Sequence, residues 1–214
     1  HTDFLVSNDY VFKTVQAYPD AFLAGPSINP QREDAIDEVH RCADAGAVLI
    51  KALPNAQHFN PADEKYRPFY RALAQRRLPF LSHVGYEFSL IGKDQSLGDP
   101  ECLRLALDEG VTVIAAHACS YGLMLHEKFL PTFRDLCERY PNFYADISAL
   151  TQPHRLKMLL HLSHQPELHS RLLFGTDYPL SVFHMAAWGR VGLGTLWNMI
   201  RTKNRFDRQV EVCA

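Results

Sequence analysis

Short apolar runs alternate with longer amphipathic stretches along nearly the whole chain. The runs show little polar–apolar alternation, which is typical of strands whose two faces are both covered by packing. The stretches between them repeat apolar residues at helical spacing, as in 33–45, which Gly46 ends. The pattern predicts strands over 3–7, 22–25, 48–51, 80–83, 113–117, 143–148 and 172–175, and helices over 10–17, 33–45, 60–77, 98–109, 125–140, 151–163 and 185–200.

Predicted strands and helices follow each other in turn, and the later strands are about 30 residues apart, the length of a βαβ unit. This order fits either an open doubly wound sheet or a (β/α)8 barrel. An open nucleotide-binding sheet should carry a glycine-rich phosphate turn, but neither GxGxxG nor GxxxxGKS/T occurs. Polar residues instead lie at or near the carboxyl ends of the strands, which share the active-site face of a barrel: Asn29, Lys51, His83, His117, Asp146 and Asp177.

The fold prediction is therefore an α/β protein, a (β/α)8 TIM barrel, formed by a single domain over 1–214. A closed barrel has eight strands, and seven are predicted, so we expect strand 1 to precede residue 1 and the domain to be N-terminally incomplete. The flank of the strand at 3–7 would then be exposed. We expect the chain to form a homodimer or to aggregate unless something covers that flank.

Composition and charge limit the classes of protein and of partner that fit this chain. The formal net charge of −2 gives no electrostatic reason to expect nucleic acid or an anionic membrane as a partner. No apolar run approaches the roughly 20 residues that cross a bilayer. The five cysteines are odd in number and have no CxxC spacing, which favours reduced, mostly buried thiols in a cytoplasmic protein. A small molecule is the expected partner.

Three of the strand-end residues indicate a metal centre. The imidazoles of His83 and His117 and the carboxylate of Asp177 are donors that suit a borderline divalent ion such as Zn²⁺. A catalytic zinc lowers the pKa of a bound water to about 7. A nearby aspartate can take the proton of that water and pass it to a leaving group, and we expect Asp177 to do this.

Four motifs follow one another in the second half of the chain: LSHVG at 81–85, IAAHA at 114–118, YADIS at 144–148 and FGTDYP at 174–179. In this order and spacing they resemble the amidohydrolase superfamily, and most closely its amidohydrolase-2 group, which includes the aminocarboxymuconate-semialdehyde decarboxylase type. The resemblance extends from Asn8 to Tyr178. It implies a (β/α)8 barrel that holds one or two divalent ions, with zinc expected and manganese as the alternative.

The resemblance also implies a role for several residues of this chain. His83 matches a metal ligand, and Asp177 matches an aspartate that holds the metal and orients its water. His117 matches a histidine that binds a second metal ion or polarises the substrate. Lys51 lies where some members carry a carboxylated lysine that bridges two ions, and an unmodified lysine that binds a substrate carboxylate fits equally well.

The remaining polar candidates each have a functional and a structural interpretation. Glu87 and Asp146 are candidate substrate-binding residues. Glu87 also fits an ordinary loop charge, and Asp146 also fits a carboxylate that bonds backbone amides at a strand end. Asn29 fits a turn residue before a proline better than a ligand, and Cys119 fits a packed thiol better than a nucleophile.

One feature of the family is missing. The His-x-His pair of strand 1, which supplies two metal ligands in the family, has no counterpart, because the segment His1-Thr2-Asp3 ends in an aspartate. Either the chain lacks an N-terminal part, which we favour, or this barrel lacks a strand and half of its metal site.

Three functions stay open. The leading one is a metal-dependent hydrolase, in which activated water attacks an amide, lactone or related carbonyl while Asp177 moves the proton and His117 polarises the carbonyl. Non-oxidative decarboxylation of an aromatic or unsaturated acid at the same site is an alternative, which cations at the barrel mouth would favour. The third is a metal-free barrel, a pseudoenzyme that binds a ligand or partner, and the missing His-x-His pair supports it.

Overall fold

A parallel β-sheet forms the centre of the protein. The computed structural model describes residues 5–88, 90, 94–123, 126–188 and 191–213. Its strands lie in chain order within one sheet, each parallel to its neighbours. They are β1 Ile50–Ala52, β2 Phe80–Ser82, β3 Val113–Ala115, β4 Phe143–Asp146 and β5 Leu172–Leu173.

The strand order is that of a barrel. In a barrel, consecutive parallel strands lie side by side, whereas a doubly wound sheet reverses its order at a switch point. The described strands show no such reversal. Next to β1, two single parallel bridges, Ala24 with Ala47 and Ser27 with Lys51, continue the sheet by one more segment. The described residues therefore form part of a (β/α) barrel, as the sequence predicted.

Helices connect the strands. Within the described residues they are α1 Asn8–Ala17, α2 Ala35–Asp44, α3 Pro54–Gln57, α4 Arg67–Gln75, α5 Arg104–Asp108, α6 Leu130–Arg139, α7 Leu156–Ser163, α8 Leu193–Arg201 and α9 Arg205–Cys213. Short 3₁₀ turns precede α4, at Glu64–Tyr66, and α5, at Gln95–Gly98 and Pro100–Leu103. None of the described helices has the length and apolar character needed to span a membrane.

The strand register separates the two faces of the sheet. One fully buried row lies under the helices: Ile50, Phe80, Val113 and Phe143. The ring of Phe80 packs edge-on against Phe69 and Tyr70 of α4, with centroids 6.4 and 5.7 Å away. Phe143 packs against Phe133 of α6 at 6.0 Å. Because successive strand residues point to opposite faces, the next row faces the barrel interior: Lys51, Leu81, Ile114 and Tyr144.

The prediction of a strand over 22–25 is wrong, because this segment forms only the single bridge at Ala24. Pro26 has no N–H group and cannot continue a ladder of hydrogen bonds, although its carbonyl accepts the Lys51 N–H at 2.9 Å. Of the strand predicted over 3–7, residues 3 and 4 lie outside the described residues. The rest of that segment leads into α1, where the Ser7 hydroxyl accepts the Tyr10 N–H at 3.2 Å.

Some helix bounds also differ from the prediction. In place of one helix over 185–200, the chain forms a 3₁₀ turn at His184–Ala187 and then α8, with Gly192 as its N-cap, while Gly189 lies outside the described residues. The helix predicted from Leu125, itself outside the described residues, begins at Leu130, because Pro131 favours the first helical turn. Helices α3 and α9 have no counterpart in the prediction.

Several large apolar side chains are exposed on the surface of the described residues. Leu5 and Leu23 are each 77% exposed, and Phe174, just after β5, is 54% exposed. Exposed apolar surface favours association with another surface. The homodimer expected from the sequence remains a prediction.

The loops after β2 and β3 touch backbone to backbone. Gly85 has a φ of +88°, and a Cβ at this position would overlap the carbonyl oxygen of Ser120. The Gly85 N–H donates to the carbonyl of Gly98, and the Tyr86 N–H donates to the carbonyl of Tyr121, both at 2.9 Å. The contacts to Ser120 and Tyr121 hold together the two loops that follow the histidine-bearing strand ends, and the hydrogen bond to Gly98 lies within the first of them.

We expect Gly85→Ala to lower the free energy of unfolding by about 3 kcal/mol, because it adds steric overlap to a left-handed backbone. Gly110→Ala is the matched control. Gly110 has a φ of +79°, and a Cβ added there would meet no atom of the described residues within 4 Å, so we expect a loss of about 1 kcal/mol. Urea denaturation measures both values, and equal losses would contradict a structural role for the loop contact.

Candidate active site

A cavity of about 240 Å³ lies at the carboxyl ends of the strands. It is lined by five residues that the sequence singled out: Lys51, His83, Glu87, His117 and Asp177. Arg155, the residue before α7, also lines it. The other lining residues are Leu53, Tyr86, Phe88, Leu90, Gln152, His154 and Leu180.

His83 presents a ring nitrogen without a partner. The residue is 5% exposed, and its Nε2 is buried with no hydrogen bond in the described part of the chain. Its Nδ1 lies 3.6 Å from Glu87 Oε2. Burial, reinforced by the positive charges of Lys51 and Arg155, lowers the pKa of His83 to about 3. The ring is therefore neutral at pH 7, which is the form that binds a divalent metal.

His117 lies against His83, with ring centroids 5.1 Å apart and ring planes at 72°. Its Nδ1 is 2.9 Å from Ser148 Oγ, and its backbone N–H donates to Asp146 Oδ1 at 2.9 Å. Burial lowers the pKa of His117 well below its usual value, and the charge of Arg155 adds to this shift. Both imidazoles are consequently neutral.

The other candidates of the sequence make mainly structural contacts. Asp146 Oδ1 accepts the backbone N–H groups of His117 and Ser148, and the side chain is not among the described residues that line the cavity. The side-chain oxygen of Asn29 accepts the N–H two residues ahead at 3.0 Å, as in a turn. Cys119 is fully buried, and burial raises the pKa of its thiol, which suits packing rather than nucleophilic attack.

Two cations share the cavity. Lys51 is half-buried, and burial lowers its pKa although nearby carboxylates oppose the shift. Arg155 is 4% exposed and donates to the carbonyls of Ser120 at 2.8 Å and Tyr86 at 3.0 Å. Burial lowers the pKa of Arg155 to about 10, so the guanidinium stays charged at pH 7. Neither cation has a carboxylate within ion-pairing distance among the described residues.

Asp177 borders the cavity just after β5. Its φ of +56° turns the chain away from the sheet. One side of the residue reaches solvent, yet loss of surrounding water raises the pKa of its carboxyl, and the positive charge of Lys51 offsets this only in part. A carboxyl group with a raised pKa is suited to proton transfer.

Arg155 and Ser148 are the site residues that sequence analysis misses. Ser148 has a detectable signal, because it follows Asp146 by two residues, a spacing at which a backbone N–H can meet an aspartate side chain. Arg155 has no comparable signal. It lies among polar residues in 151–157, and its burial depends on carbonyls that are far away in the chain.

The donor set fits a divalent metal ion. Neutral imidazoles, one of them with a buried and unbonded nitrogen, and a carboxylate are ligand types that zinc and manganese accept. Within the described ranges, no group of three His, Cys, Asp or Glu side chains is spaced to hold an ion. Binding by His83, His117 and Asp177 would therefore require these side chains to close around the ion.

Comparison with known protein families gives a match that includes this site. A family model described as Amidohydrolase matches residues 2–189. No curated protein matches the chain significantly. The family match covers every residue that lines the cavity.

Solved structures are similar over nearly all of this chain. An uncharacterised TIM-barrel protein from Bordetella bronchiseptica matches with a TM-score of 0.68 at 21% identity, covering 98% of this chain and 74% of that one. A 2,6-dihydroxybenzoate decarboxylase from Rhizobium has a TM-score of 0.57, 20% identity and coverage of 96% and 72%. A 5-carboxyvanillate decarboxylase from Novosphingobium aromaticivorans, crystallised with manganese, has a TM-score of 0.57, 18% identity and coverage of 95% and 65%. At these identities the matches establish the TIM-barrel fold alone.

We expect the metal-free protein to lose stability as the pH falls from about 6.5 to about 3. The unfolded chain binds a proton on His83 below pH 6.5, whereas the folded chain binds it only near pH 3. Unfolding is therefore favoured across this interval, by up to about 1.4 kcal/mol per pH unit. His83→Gln should reduce this slope in urea denaturation. Equal slopes for wild type and His83→Gln would contradict the buried neutral state.

Proposed function

The chain belongs to the amidohydrolase family, in its amidohydrolase-2 group, and on this basis we propose that it is a metal-dependent enzyme acting on a small carboxylic acid. The proposed reaction is non-oxidative decarboxylation. Hydrolysis at the same site is the second candidate.

The observation that supports an acidic substrate is the pair of cations, Lys51 and Arg155, in one small cavity. A buried cation without a carboxylate partner is unfavourable, because its lost hydration is not offset by charge pairing. A substrate carboxylate would supply the negative charge. Arg155 keeps further N–H donors beyond those that bond to carbonyls, and these suit a carboxylate.

An aromatic wall supports an unsaturated substrate. Tyr86 and Phe88 stack with ring centroids 5.7 Å apart and planes at 24°. Phe88 meets His154 edge-on at 5.6 Å. Such rings favour contact with another planar group. Two of the similar structures are named as decarboxylases of 2,6-dihydroxybenzoate and 5-carboxyvanillate, and an aromatic or unsaturated acid is the proposed substrate here.

Several residues of the cavity have separate roles in the proposed reaction. Zinc or manganese, when bound by His83, His117 and Asp177, supplies Lewis-acid stabilisation of negative charge. Lys51 and Arg155 bind and orient the acidic substrate. The bond between the carboxyl carbon and its neighbour breaks, CO₂ leaves, and the electron pair stays on the remaining carbon. That carbon then takes a proton, which Asp177 is proposed to take up from solvent and pass to it.

Three further roles also remain proposals. Glu87 lines the cavity beside His83 and is proposed as a second contact to the substrate. Asp146 accepts the backbone N–H of His117 and is proposed to act on the substrate through that residue. Burial lowers the pKa of Lys51, which favours the neutral amine needed for carboxylation, so the metal-bridging role stays an alternative to direct binding of substrate.

The position of Asp177 favours hydrolysis as the second candidate. Asp177 is an exposed residue whose carboxyl has a raised pKa, and such a group can take a proton from water and deliver it to a leaving group. His117 would then polarise the carbonyl of an amide or lactone. The two candidates differ at the cations, because a substrate carboxylate could form a direct ion pair with Lys51 or Arg155, whereas a neutral amide or lactone could not.

We expect the purified chain to carry about one zinc or manganese ion when it is prepared without chelator and measured by plasma mass spectrometry. His83→Gln should lower the metal content about tenfold or more, because it removes a ligand nitrogen. His40→Gln, on α2, is the control and should keep the metal. Absence of metal from the wild-type chain would instead favour the metal-free binding protein.

We expect the metal-loaded chain to release labelled CO₂ from hydroxybenzoates that carry ¹³C in the carboxyl group. Lys51→Met should lower kcat/KM about 10- to 100-fold, because a charged hydrogen bond to the substrate is lost. Lys13→Met, on the exposed face of α1, is the control. Turnover of lactones or amides without CO₂ release would overturn the first candidate and support the second.

A further inference from the structure

His117 lies in a backbone conformation that side chains disfavour. His117, Ala118 and Cys119 follow one another with φ values of 60°, 48° and 59°. Each left-handed residue with a Cβ costs about 1 kcal/mol or more, so this turn requires compensating contacts. Ser120 closes it by donating its N–H to the carbonyl of His117 at 2.8 Å.

The compensating contacts converge on one carboxylate oxygen. Asp146 Oδ1 accepts the N–H of His117 at 2.9 Å, the N–H of Ser148 at 3.0 Å and the hydroxyl of Ser148. Hydrogen bonds to an ionised acceptor are stronger than those between neutral groups. Asp146 therefore anchors the turn that follows β3 to the end of β4.

The same hydrogen bonds determine which ring nitrogen of His117 carries a proton. An ionised carboxylate can only accept, so the Ser148 hydroxyl gives its single proton to Asp146. Its oxygen, 2.9 Å from His117 Nδ1, is then left to accept, and so is the Ser148 carbonyl at 3.1 Å from the same nitrogen. Nδ1 faces two acceptors and must be the donor.

We infer that Asp146 and Ser148 are positioning residues that hold His117 with its proton on Nδ1 and leave Nε2 as the acceptor on the cavity side. This inference rests on the proposed function and gives His117 one role within it. In the neutral ring, Nε2 can bind an ion or take a proton, and it has no proton to donate. Proton donation in the proposed reaction then falls to Asp177.

Nitrogen NMR of ¹⁵N-histidine-labelled, metal-free protein tests the inference, because protonated and unprotonated ring nitrogens differ strongly in chemical shift. The signals of His117, identified with His117→Gln, should show the Nδ1–H tautomer. Ser148→Ala should move the tautomer ratio about fivefold toward Nε2–H, as expected for the loss of one hydrogen bond. Asp146→Asn should move it in the same direction, because a neutral amide holds the Ser148 hydroxyl less strongly.

Two further variants separate positioning from general packing. Ser148→Thr keeps the hydroxyl and should keep the wild-type ratio. Ser120→Ala removes another buried hydroxyl-to-carboxylate hydrogen bond, 2.9 Å from Ser120 Oγ to Glu127 Oε1, and should leave the ratio unchanged. An Nε2–H tautomer in the wild type, or an unchanged ratio in Ser148→Ala, would overturn the inference. The spectra need neither metal nor substrate, so this result is independent of the CO₂-release and metal-content experiments.

Discussion

In-register pairing of parallel strands is the constraint on which the rest of the structure depends. One buried row of residues runs level across β1 to β4, so these strands end at the same height. Lys51, His83 and His117, which lie on or just after three neighbouring strands, consequently border one cavity. A slip of one residue in β1 would turn Lys51 toward the helices and remove a cation from the site.

Burial then sets the charge state of each group. Desolvation disfavours the imidazolium form, so His83 and His117 lose their charge. The guanidinium of Arg155 is also desolvated, yet its pKa of about 10 keeps it positive at pH 7. The result is a cavity that combines neutral nitrogen donors and positive side chains with the carboxyl groups of Glu87 and Asp177. Nitrogen and carboxylate donors are ligand types for a metal ion, and the two cations favour an anionic substrate.

Buried polar contacts help to hold the loops that carry the chemistry. Arg155 bonds the carbonyls of two different loops, and Gly85 allows two backbones to touch. Asp146 stabilises a left-handed turn. Hydrogen bonds are directional, so they orient a ring or a carbonyl where apolar contact would only exclude water. Orientation matters here because a histidine can act only through the nitrogen that faces the cavity.

Local sequence patterns were enough to predict the barrel class and the strand-end positions of Lys51, His83 and His117, because apolar runs, their spacing and the residues that end them are local properties. The same patterns also predicted a strand over 22–25, where Pro26 lacks the donor that pairing requires. The contacts that each site residue makes depend on the tertiary structure and could not be predicted from local sequence. The carbonyls that hold Arg155 are 35 and 69 residues away, and the hydroxyl that orients His117 is 31 residues away. Burial, charge state and tautomer depend on such distant partners, which no local pattern contains.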